Sequence, residues 1–589
     1  MKKQFSLLML GATALSLCCG CSSHSDAIIY PDYPLTPSDK DSWEYLADDD
    51  GKIEEWDLEW YVNDSVFSWN SYGSDCVSKV LKEKTGVNIK FTVPVTDDGQ
   101  KLSTLIAGNK LPDLVSVQCW YTQCSQLAAQ NYLYPLDELI DRWAPSFKTR
   151  EQTDIWNYFR EGDGYTYGVP NFAYSTMYVN DADKMEPNGC LMVREDWYAE
   201  AVNAGYPMTS PTSFIEGCKY IANLHTNAIP FQLDSFTSEG NDSIDWLAQY
   251  FRSFFEDDEG NYQDTRLSEG YQEMLAFLNQ CNKEGIIRAS NYSDKAEQVR
   301  TNISRGNVFV SAVTPQDYQA AFINCFANGI TYVPLVLRNA AGEAPVLQDL
   351  SGNGYLLTMV SRNCKRPDKV IKLLDYLYSE EGQRVVAFGV EGESWNWNED
   401  HTEIVWTDRY ISGVNGNTED QAWINTLGIY QMTLLMNLAY INKVKPLNGR
   451  RAVDIYIDNM KRPLTPYSYN FKPIFLKHDT GASNYFDVST KSNKIKTKWA
   501  EALVNIIRAA DWKSTYDSAV TYAKKQGLQD VIDFYSISYQ NTKTLMGVEW
   551  GYPTRREGYV APVTARLKGA DNGDFSYWRS TTHSDEFDG

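Results

Sequence analysis

The hydrophobic pattern near the start of the chain predicts a strand–helix–strand–helix–strand unit. Three short β-rich runs lie at 58–63, 87–93 and 113–117, and each is followed by polar residues. Between them, apolar residues recur at helical spacing over 77–81 and 102–106. Elements in this order and at this spacing predict parallel strands joined by right-handed crossover helices.

The carboxyl ends of these strands form the side on which we expect a ligand. In open α/β sheets the ligand sits outside the carboxyl ends of the parallel strands. Asn63, Asp64 and Trp69 follow the first strand, and Trp120 follows the third. We therefore expect amide, carboxylate and aromatic side chains to meet at this edge of the sheet.

Later parts of the chain also alternate between predicted strands and helices, and the last part is predicted to be mainly helical. Strands are predicted over 305–310 and 354–360, and a helix over 211–220 is expected to have Thr212 or Ser213 at its N-terminal cap. Further helices are predicted near 420–442, 448–460, 493–510, 513–525 and 528–540. Residues 544–589 lack periodicity and are expected to be an irregular tail.

The first residues predict export rather than fold. Lys2 and Lys3 precede an apolar run over 5–17, which is the order of a secretory signal and is too short to span a membrane. Gly20 before Cys21 resembles a bacterial lipobox, although Cys18 stands where such boxes usually have leucine. We predict a signal peptide over 1–20 and a lipid anchor on Cys21. The alternative is ordinary secretion with incidental cysteines.

The segment that follows the predicted anchor is polar and acidic. Residues 22–50 contain Pro31, Pro34 and Pro37. Such a composition favours a flexible linker, so residues 21–55 are predicted to be the anchor and its tether.

The composition indicates a large globular protein with a substantial hydrophobic core. The chain has 589 residues, of which 43% are hydrophobic and 13% aromatic, enough for two or more domains. Its formal net charge is −23 and it has no long basic run. These features argue against nucleic acid as a partner.

Several stretches together resemble one known family. The pattern TGV-x-I-x-F, the run LIAGNKLPDLV, and the segments LYPLDELIDRWAP, LMVREDW and GVEGESWNW are similar to bacterial extracellular solute-binding proteins of the carbohydrate type (family 1). These proteins are the receptors of ABC importers. The resemblance implies an α/β, two-lobed periplasmic-binding-protein-like fold of type II, with a small, mostly parallel sheet flanked by helices in each lobe. It also implies a monomer that meets ABC permease subunits at the outer face of the cytoplasmic membrane.

The same resemblance implies lobes built from discontinuous parts of the chain. Lobe 1 is expected over 56–168 and 347–392, and lobe 2 over 169–346 and 393–543. In this scheme the chain crosses between the lobes near 168, 346 and 392. The GVEGESWNW stretch would then mark the return to the second lobe.

Residue patterns for metal, cofactor or nucleophilic chemistry are missing from the sequence. The five histidines do not pair at metal-binding spacing, the cysteines match no zinc framework, and no G-x-S-x-G elbow or P-loop occurs. The acidic stretches 48–51 and 256–260 look calcium-like, but Leu46 and Phe255 stand at the first ligand position. We interpret both as solvated turns and expect neither metal nor cofactor.

Aromatic and amide side chains remain as the candidate chemistry. A tryptophan or tyrosine face covers the C–H face of a sugar ring, while amides and carboxylates bond its hydroxyls. The predicted contacts are Trp69, Trp120, Phe172, Tyr174, Trp395 and Trp397, with Asn63, Asp64, Asn171 and Glu393 beside them. Trp69 and Trp395 are expected to be the main platforms, one from each lobe. The alternative for each is packing in a core, since the chain has 17 tryptophans.

Two functions from different classes follow. The first is a membrane-anchored extracellular binding protein that captures a carbohydrate, in particular an oligosaccharide, and delivers it to an ABC importer. The second is a surface carbohydrate-active enzyme that uses a pair of carboxylates. The multi-segment resemblance favours the first.

Overall fold

The structure is a computed structural model that describes residues 28–96, 99–119, 121, 123–150, 153–161, 163–173, 186–237, 240–348, 354–444, 446, 448–469 and 484–552. The predicted signal peptide and Cys21 lie outside the described residues. So does the predicted tail beyond residue 552.

Short strands alternate with helices along the described chain. The strands are β1 (Trp56–Val62), β2 (Val87–Thr92), β3 (Leu114–Gln118), β4 (Gly168–Pro170), β5 (Cys190–Arg194), β6 (Ile229–Leu233), β7 (Val308–Val313), β8 (Tyr332–Pro334), β9 (Leu347–Gln348), β10 (Leu356–Val360), β11 (Trp395–Trp397), β12 (Ile404–Trp406) and β13 (Ser468–Tyr469). The α-helices are α1 (Cys76–Thr85), α2 (Gln100–Ala107), α3 (Gln123–Ala129), α4 (Leu136–Trp143), α5 (Thr153–Tyr158), α6 (Glu195–Asn203), α7 (Pro211–Leu224), α8 (Asp242–Tyr250), α9 (Glu269–Lys283), α10 (Ala296–Ser304), α11 (Gln319–Ala327), α12 (Pro367–Tyr378), α13 (Glu380–Phe388), α14 (Asp408–Val414), α15 (Thr418–Ile424), α16 (Leu438–Val444), α17 (Ala452–Asn459), α18 (Tyr485–Arg508), α19 (Trp512–Lys525) and α20 (Leu528–Met546).

The first lobe is built on a five-stranded sheet in the order β2-β1-β3-β10-β4. β1 pairs in parallel with β2 and with β3, which confirms the predicted strand–helix–strand unit. Asp75 caps α1, and Gly86 ends it in the left-handed conformation at φ 72°. That turn feeds the chain directly into β2, where glycine avoids the cost of a Cβ.

The second lobe is built on a four-stranded sheet in the order β6-β7-β5-β8. β6 and β7 are parallel, whereas β5 is antiparallel to β7 and to β8. In the first lobe β10 is likewise antiparallel to both of its neighbours. Only β10 in the first sheet and β5 in the second run against the other strands. The expected two-lobed α/β architecture with small, mostly parallel sheets is therefore confirmed.

Separate hydrophobic cores show where the chain changes lobe. Ala173 still packs with the first lobe, and Cys190 already packs with the second. The return after Gln348 reaches the first sheet at β10. The described residues therefore change lobe between Ala173 and Cys190 and again between Leu347 and Leu356.

The third crossing lies far from its predicted position near 392. Trp395, Ile404 and Val444 are buried in the same core as Leu58 of β1. Asn448 still exchanges hydrogen bonds of 2.9 and 3.0 Å with the backbone of Trp406. Residues 393–444 therefore belong to the first lobe, because the β11–β12 hairpin closes over its core. The chain reaches the second lobe only at α17.

Several helix boundaries differ from prediction, two of them for clear local reasons. Ser210 caps α7, since its hydroxyl accepts the N–H of Ser213 at 3.3 Å and the Ser213 hydroxyl accepts the N–H of Ser210 at 3.1 Å. The helix expected over 420–442 is broken, because Gly428 and Tyr430 adopt positive φ between α15 and α16. The last three helices agree with prediction, except that α18 begins earlier and α20 extends to Met546.

Residues 28–55 are not a free tether, which corrects part of that prediction. The Tyr30 ring packs 5.6 Å from Tyr134 and 6.4 Å from Trp143, and Trp43 packs edge-on to Tyr376 at 5.1 Å. Aromatic residues scattered through this polar segment attach it to the first lobe. Within the part of the chain that the structure describes, no helix combines the length and apolarity needed to cross a membrane.

Candidate ligand-binding site

The predicted amides at the strand ends of the first lobe do come together. Asn63 follows β1 and Gln118 ends β3, and the Asn63 amide donates to Gln118 Oε1 at 2.8 Å. Gln118 Nε2 donates back to the Asn63 carbonyl at 2.5 Å, and the Tyr61 hydroxyl donates to Asn63 Oδ1 at 2.7 Å. Asn63 is fully buried. Its side chain therefore holds neighbouring strands together instead of facing a ligand.

Asn171 and Phe172 at the end of β4 have similar internal roles. Asn171 Oδ1 accepts the N–H groups of Tyr355 and Leu356 at 3.1 and 2.6 Å, and its amide donates to the Thr433 carbonyl at 2.7 Å. Phe172 is half-buried and has a left-handed backbone at φ 52°. These contacts fix the entry of the chain into β10. Asp64 is buried, and its Oδ1 accepts the Val66 N–H at 3.2 Å in a turn.

The prediction that Trp69 and Trp395 form platforms on opposite lobes is wrong. Trp69 is 6% exposed and donates from Nε1 to Asp75 Oδ2 at 2.8 Å. Trp395 is 3% exposed and donates to the Gly389 carbonyl at 3.2 Å. Both indoles lie in the core of the first lobe. Neither indole is among the residues that line the cavity described below, so both are interpreted as packing residues.

The remaining predicted contacts are on the first lobe or outside the described residues. Trp397 is half-buried, edge-on to Trp395 at 5.4 Å, with the guanidinium of Arg384 5.4 Å from its ring centre. Glu393 is exposed and accepts a 3.8 Å contact from the Cys76 thiol. Trp120 and Tyr174 lie outside the described residues.

A cavity of about 390 Å³ lies in the second lobe. It is bounded by α8, α9, α18, β9 and the last described residues of the chain. Asn241, one of its lining residues, donates to the carbonyl of Asp234 directly after β6 at 2.8 Å. Gln348, another, is the last described residue before the chain returns to the first lobe. The cavity thus lies at a strand's carboxyl end and beside a crossing, where α/β folds bind ligands.

Aromatic side chains form much of the lining of this cavity, which we call the second-lobe pocket. They are Phe255, Tyr262, Tyr271, Trp499 and Tyr552. Trp499 Nε1 donates to the Tyr271 hydroxyl at 3.2 Å, and the two ring centres are 6.2 Å apart. Burial raises the pKa of Tyr262 and of Tyr271, so both phenols stay protonated at neutral pH.

Amide groups line the same pocket. Gln249 Oε1 accepts the backbone N–H of Gln348 at 2.7 Å, which fixes the orientation of the carboxamide. Gln249 also lines the cavity, so this carboxamide lies beside the space that a ligand would occupy. An oriented donor of this kind suits a ligand hydroxyl.

The formal charges of the residues that line the pocket sum to zero. Asp264 and Arg266 form a bidentate pair, with Arg266 Nε 2.8 Å from Asp264 Oδ1. The other two charged lining residues are Asp245 and Lys496. With two acidic and two basic side chains, the formal charge of the lining is zero. The pocket therefore offers aromatic faces and amides without a net electrostatic preference.

None of these pocket residues was predicted from the sequence. The sequence does carry one indication of Trp499 as a candidate contact, because the part of its helix that precedes it is rich in lysine and serine. The aromatic residues around the acidic stretch 256–260 gave another. In the structure Asp257 Oδ1 accepts the N–H groups of Glu259 and Asn261 at 3.0 and 2.7 Å, which makes this stretch a tight turn.

Comparison with known proteins places the fold. A family model described as bacterial extracellular solute-binding protein matches residues 77–388. The Streptococcus pneumoniae ABC-transporter substrate-binding protein FusA, in complex with kestose, has 15% identity and a TM-score of 0.64, covering 83% of this chain and 100% of that one. A human-milk-oligosaccharide (HMO)-binding, ABC-transporter-associated solute-binding protein from Bifidobacterium longum infantis has 13% identity and a TM-score of 0.60, covering 82% and 99%. No curated protein matches the chain.

Proposed function

Because the chain belongs to the bacterial extracellular solute-binding protein family, whose model spans more than half of it, we propose that it captures a neutral oligosaccharide outside the cell. The bound sugar would then be delivered to the membrane subunits of an ABC importer. The similar structures include proteins described as bound to kestose and as binding human milk oligosaccharides. These likenesses guide the choice of sugars for testing.

The observation that carries the proposal is the composition of the second-lobe pocket. Its volume of about 390 Å³ lies within the usual range of ligand sites. Aromatic faces, an oriented amide donor and zero formal charge match the C–H faces and hydroxyl rims of uncharged sugar rings. An acidic or basic ligand would need an unpaired charge that this lining does not provide.

Movement of the lobes belongs to the proposal. Described residues on either side of three junctions pack in different lobes: Ala173 and Cys190, Leu347 and Leu356, and Val444 and Tyr456. A few residues at such crossings are enough to absorb a hinge motion around a ligand. The first lobe would then close over the pocket and present the loaded, closed shape to the importer. Scattering should show a smaller radius of gyration at saturating sugar, and an unchanged profile would count against closure.

We place the protein on the outer face of the cytoplasmic membrane, held by a lipid on Cys21. The motivation is the order of basic, apolar and small residues that ends at Gly20. The Cys21→Ala variant should appear in the soluble fraction or the medium. If it stays in the membrane fraction as the wild type does, the anchor assignment fails.

A thermal-shift panel tests the ligand class. Neutral sugars such as kestose, fructo-nystose and laminaribiose should raise the melting temperature in a concentration-dependent way, since they bind only the folded protein. Alginate oligosaccharides serve as the charged comparison and should have no effect. Stabilisation by the charged set alone would contradict the proposal.

The enzyme alternative has a separate test. Both carboxylate oxygens of Asp264 are engaged by Arg266, so this group is poorly placed to act as a general acid. Prolonged incubation of the pure protein with the same neutral sugars should release no new reducing ends. Measurable turnover would support a carbohydrate-active enzyme instead of a receptor.

A further inference from the structure

A buried carboxylate ties the last described segment of the chain to the pocket. Glu256 is fully buried in the turn that follows α8. Its Oε1 accepts the Tyr539 hydroxyl at 2.6 Å and the Gly551 N–H at 2.9 Å, and its Oε2 accepts the Tyr552 N–H at 3.4 Å. The donors are almost 300 residues further along the chain. One side chain therefore fixes where residues 548–552 lie.

The charge of this carboxylate is balanced by an equally buried lysine. Lys543 Nζ lies 3.6 Å from Glu256 Oε1, and its side chain is 8% exposed. The ammonium also donates to the Gly260 carbonyl at 2.6 Å and to the Glu549 carbonyl at 2.9 Å. The contacts with Glu256 and Gly260 join the end of α20 to the turn 256–260, and the contact with Glu549 fixes the segment after α20. A buried charge pair is retained in a low-dielectric site only when it is satisfied in this way.

The segment held by this pair ends in a pocket residue. The Tyr552 ring centre lies 4.2 Å from that of Phe254 and 4.8 Å from that of Phe255, and its hydroxyl accepts the Phe255 N–H at 3.1 Å. Tyr552 and Phe255 both line the cavity. Tyr552 is 4% exposed, so its ring closes one side of the cavity rather than projecting into it.

We propose that residues 548–552 form the wall that limits the length of the bound sugar. Tyr552 is the specificity-determining residue, and Glu256 is the positioning residue that holds it through Gly551 and Lys543. This inference rests on the proposed function. It goes further by assigning chain-length selection to a segment outside both sheets. Shortening the Tyr552 side chain opens the cavity, so longer sugars gain relative to short ones.

The test is a titration of the full chain with a ladder of neutral oligosaccharides of two to six units, together with kestose and fructo-nystose. Tyr552→Ala should shift the ratio of affinities for long over short sugars by about tenfold, the usual effect of reshaping an apolar pocket. Tyr552→Leu keeps more of the packing and should shift the ratio in the same direction by less. Tyr552→Phe should match the wild type in this ratio.

Glu256→Gln and Tyr522→Ala complete the set. Glu256→Gln keeps one acceptor oxygen but loses the acceptor of the Tyr552 N–H and the charge opposite Lys543, so it should shift the length profile in the same direction as Tyr552→Ala but by less. Tyr522→Ala removes an exposed tyrosine of α19 and should leave the profile unchanged. If the wild type binds and Tyr552→Leu keeps the wild-type length profile, the inference is overturned while the proposed function stands. If the wild type binds no member of the ladder, the proposed function fails and the inference fails with it.

Discussion

The indole N–H of Trp499 donates a hydrogen bond of 3.2 Å to the hydroxyl of Tyr271. The bond joins α18 to α9, although the two residues are 228 positions apart. Both side chains line the second-lobe pocket, and the guanidinium of Arg266 lies 5.4 Å from the Trp499 ring centre. The aromatic lining of the pocket is thus formed by residues that are distant in the sequence, and this hydrogen bond holds two of them in place.

Trp499→Phe should weaken sugar binding while largely preserving the fold. The change keeps an aromatic ring but removes part of its face and the bond to Tyr271. Truncating a desolvated aromatic contact costs on the order of 1–2 kcal/mol, or about fivefold to thirtyfold in Kd. Calorimetric titration of the best sugar from the panel measures this loss. Trp423→Phe is the matched control and should bind like the wild type, because this half-buried tryptophan of α15 packs beside Arg409 and does not line the pocket.

Trp69→Ala and Trp395→Ala should behave as core substitutions. Each removes a buried indole and a satisfied hydrogen bond, so each should cost roughly 3–5 kcal/mol in the free energy of unfolding. The affinity of the fraction that remains folded should be unchanged, since neither residue reaches the second-lobe pocket. Urea unfolding and titration on the same samples separate the two effects. Affinity loss without loss of stability would restore the platform role to these tryptophans.

Asp375 should give the stability a characteristic pH dependence. Its carboxylate is buried beside Arg150 and accepts the Ser146 hydroxyl at 2.7 Å, and burial raises its pKa to about 6. Since the folded-state pKa exceeds the unfolded value of 3.8, the contribution is fully present below the unfolded pKa. It is lost as the pH rises through 6.

The matched variant is Asp375→Asn, which imitates the protonated carboxyl at every pH. The stability of the wild type relative to this variant should therefore fall between about pH 4 and 7, by up to roughly 3 kcal/mol, and then stay level. Urea unfolding at four pH values measures the difference. A difference that is constant, or that grows with pH, would contradict the role of burial at this site.

Features formed by residues close together in the sequence could be predicted, whereas features formed by distant residues could not. The β1–α1–β2–α2–β3 unit was predictable because periodicity and the Gly86 stop lie within it. Trp69 and Trp395 were not separable from ligand contacts, because a tryptophan after a strand looks the same whether it faces a core or a sugar. The third crossing was misplaced because only the packing of Trp395 and Val444 against Leu58 reveals their lobe.

The second-lobe pocket lay beyond sequence reasoning for a physical reason. Phe255 and Tyr552 meet across 297 positions, and no periodic pattern records such a contact. The attachment of residues 28–55 was hidden in the same way. Its composition is that of a linker, but Tyr30 and Trp43 find apolar partners on the first lobe only in the folded chain.

Hydrogen exchange with and without saturating sugar tests the central claim most directly. If a neutral oligosaccharide binds in the second-lobe pocket, exchange should slow in peptides from α8, α9 and α18 and in the segment 548–552. The strand ends around Asn63 should respond less. Protection confined to the first lobe, at residues 63–72 and 393–397, with no change in α9 or α18, would contradict the account.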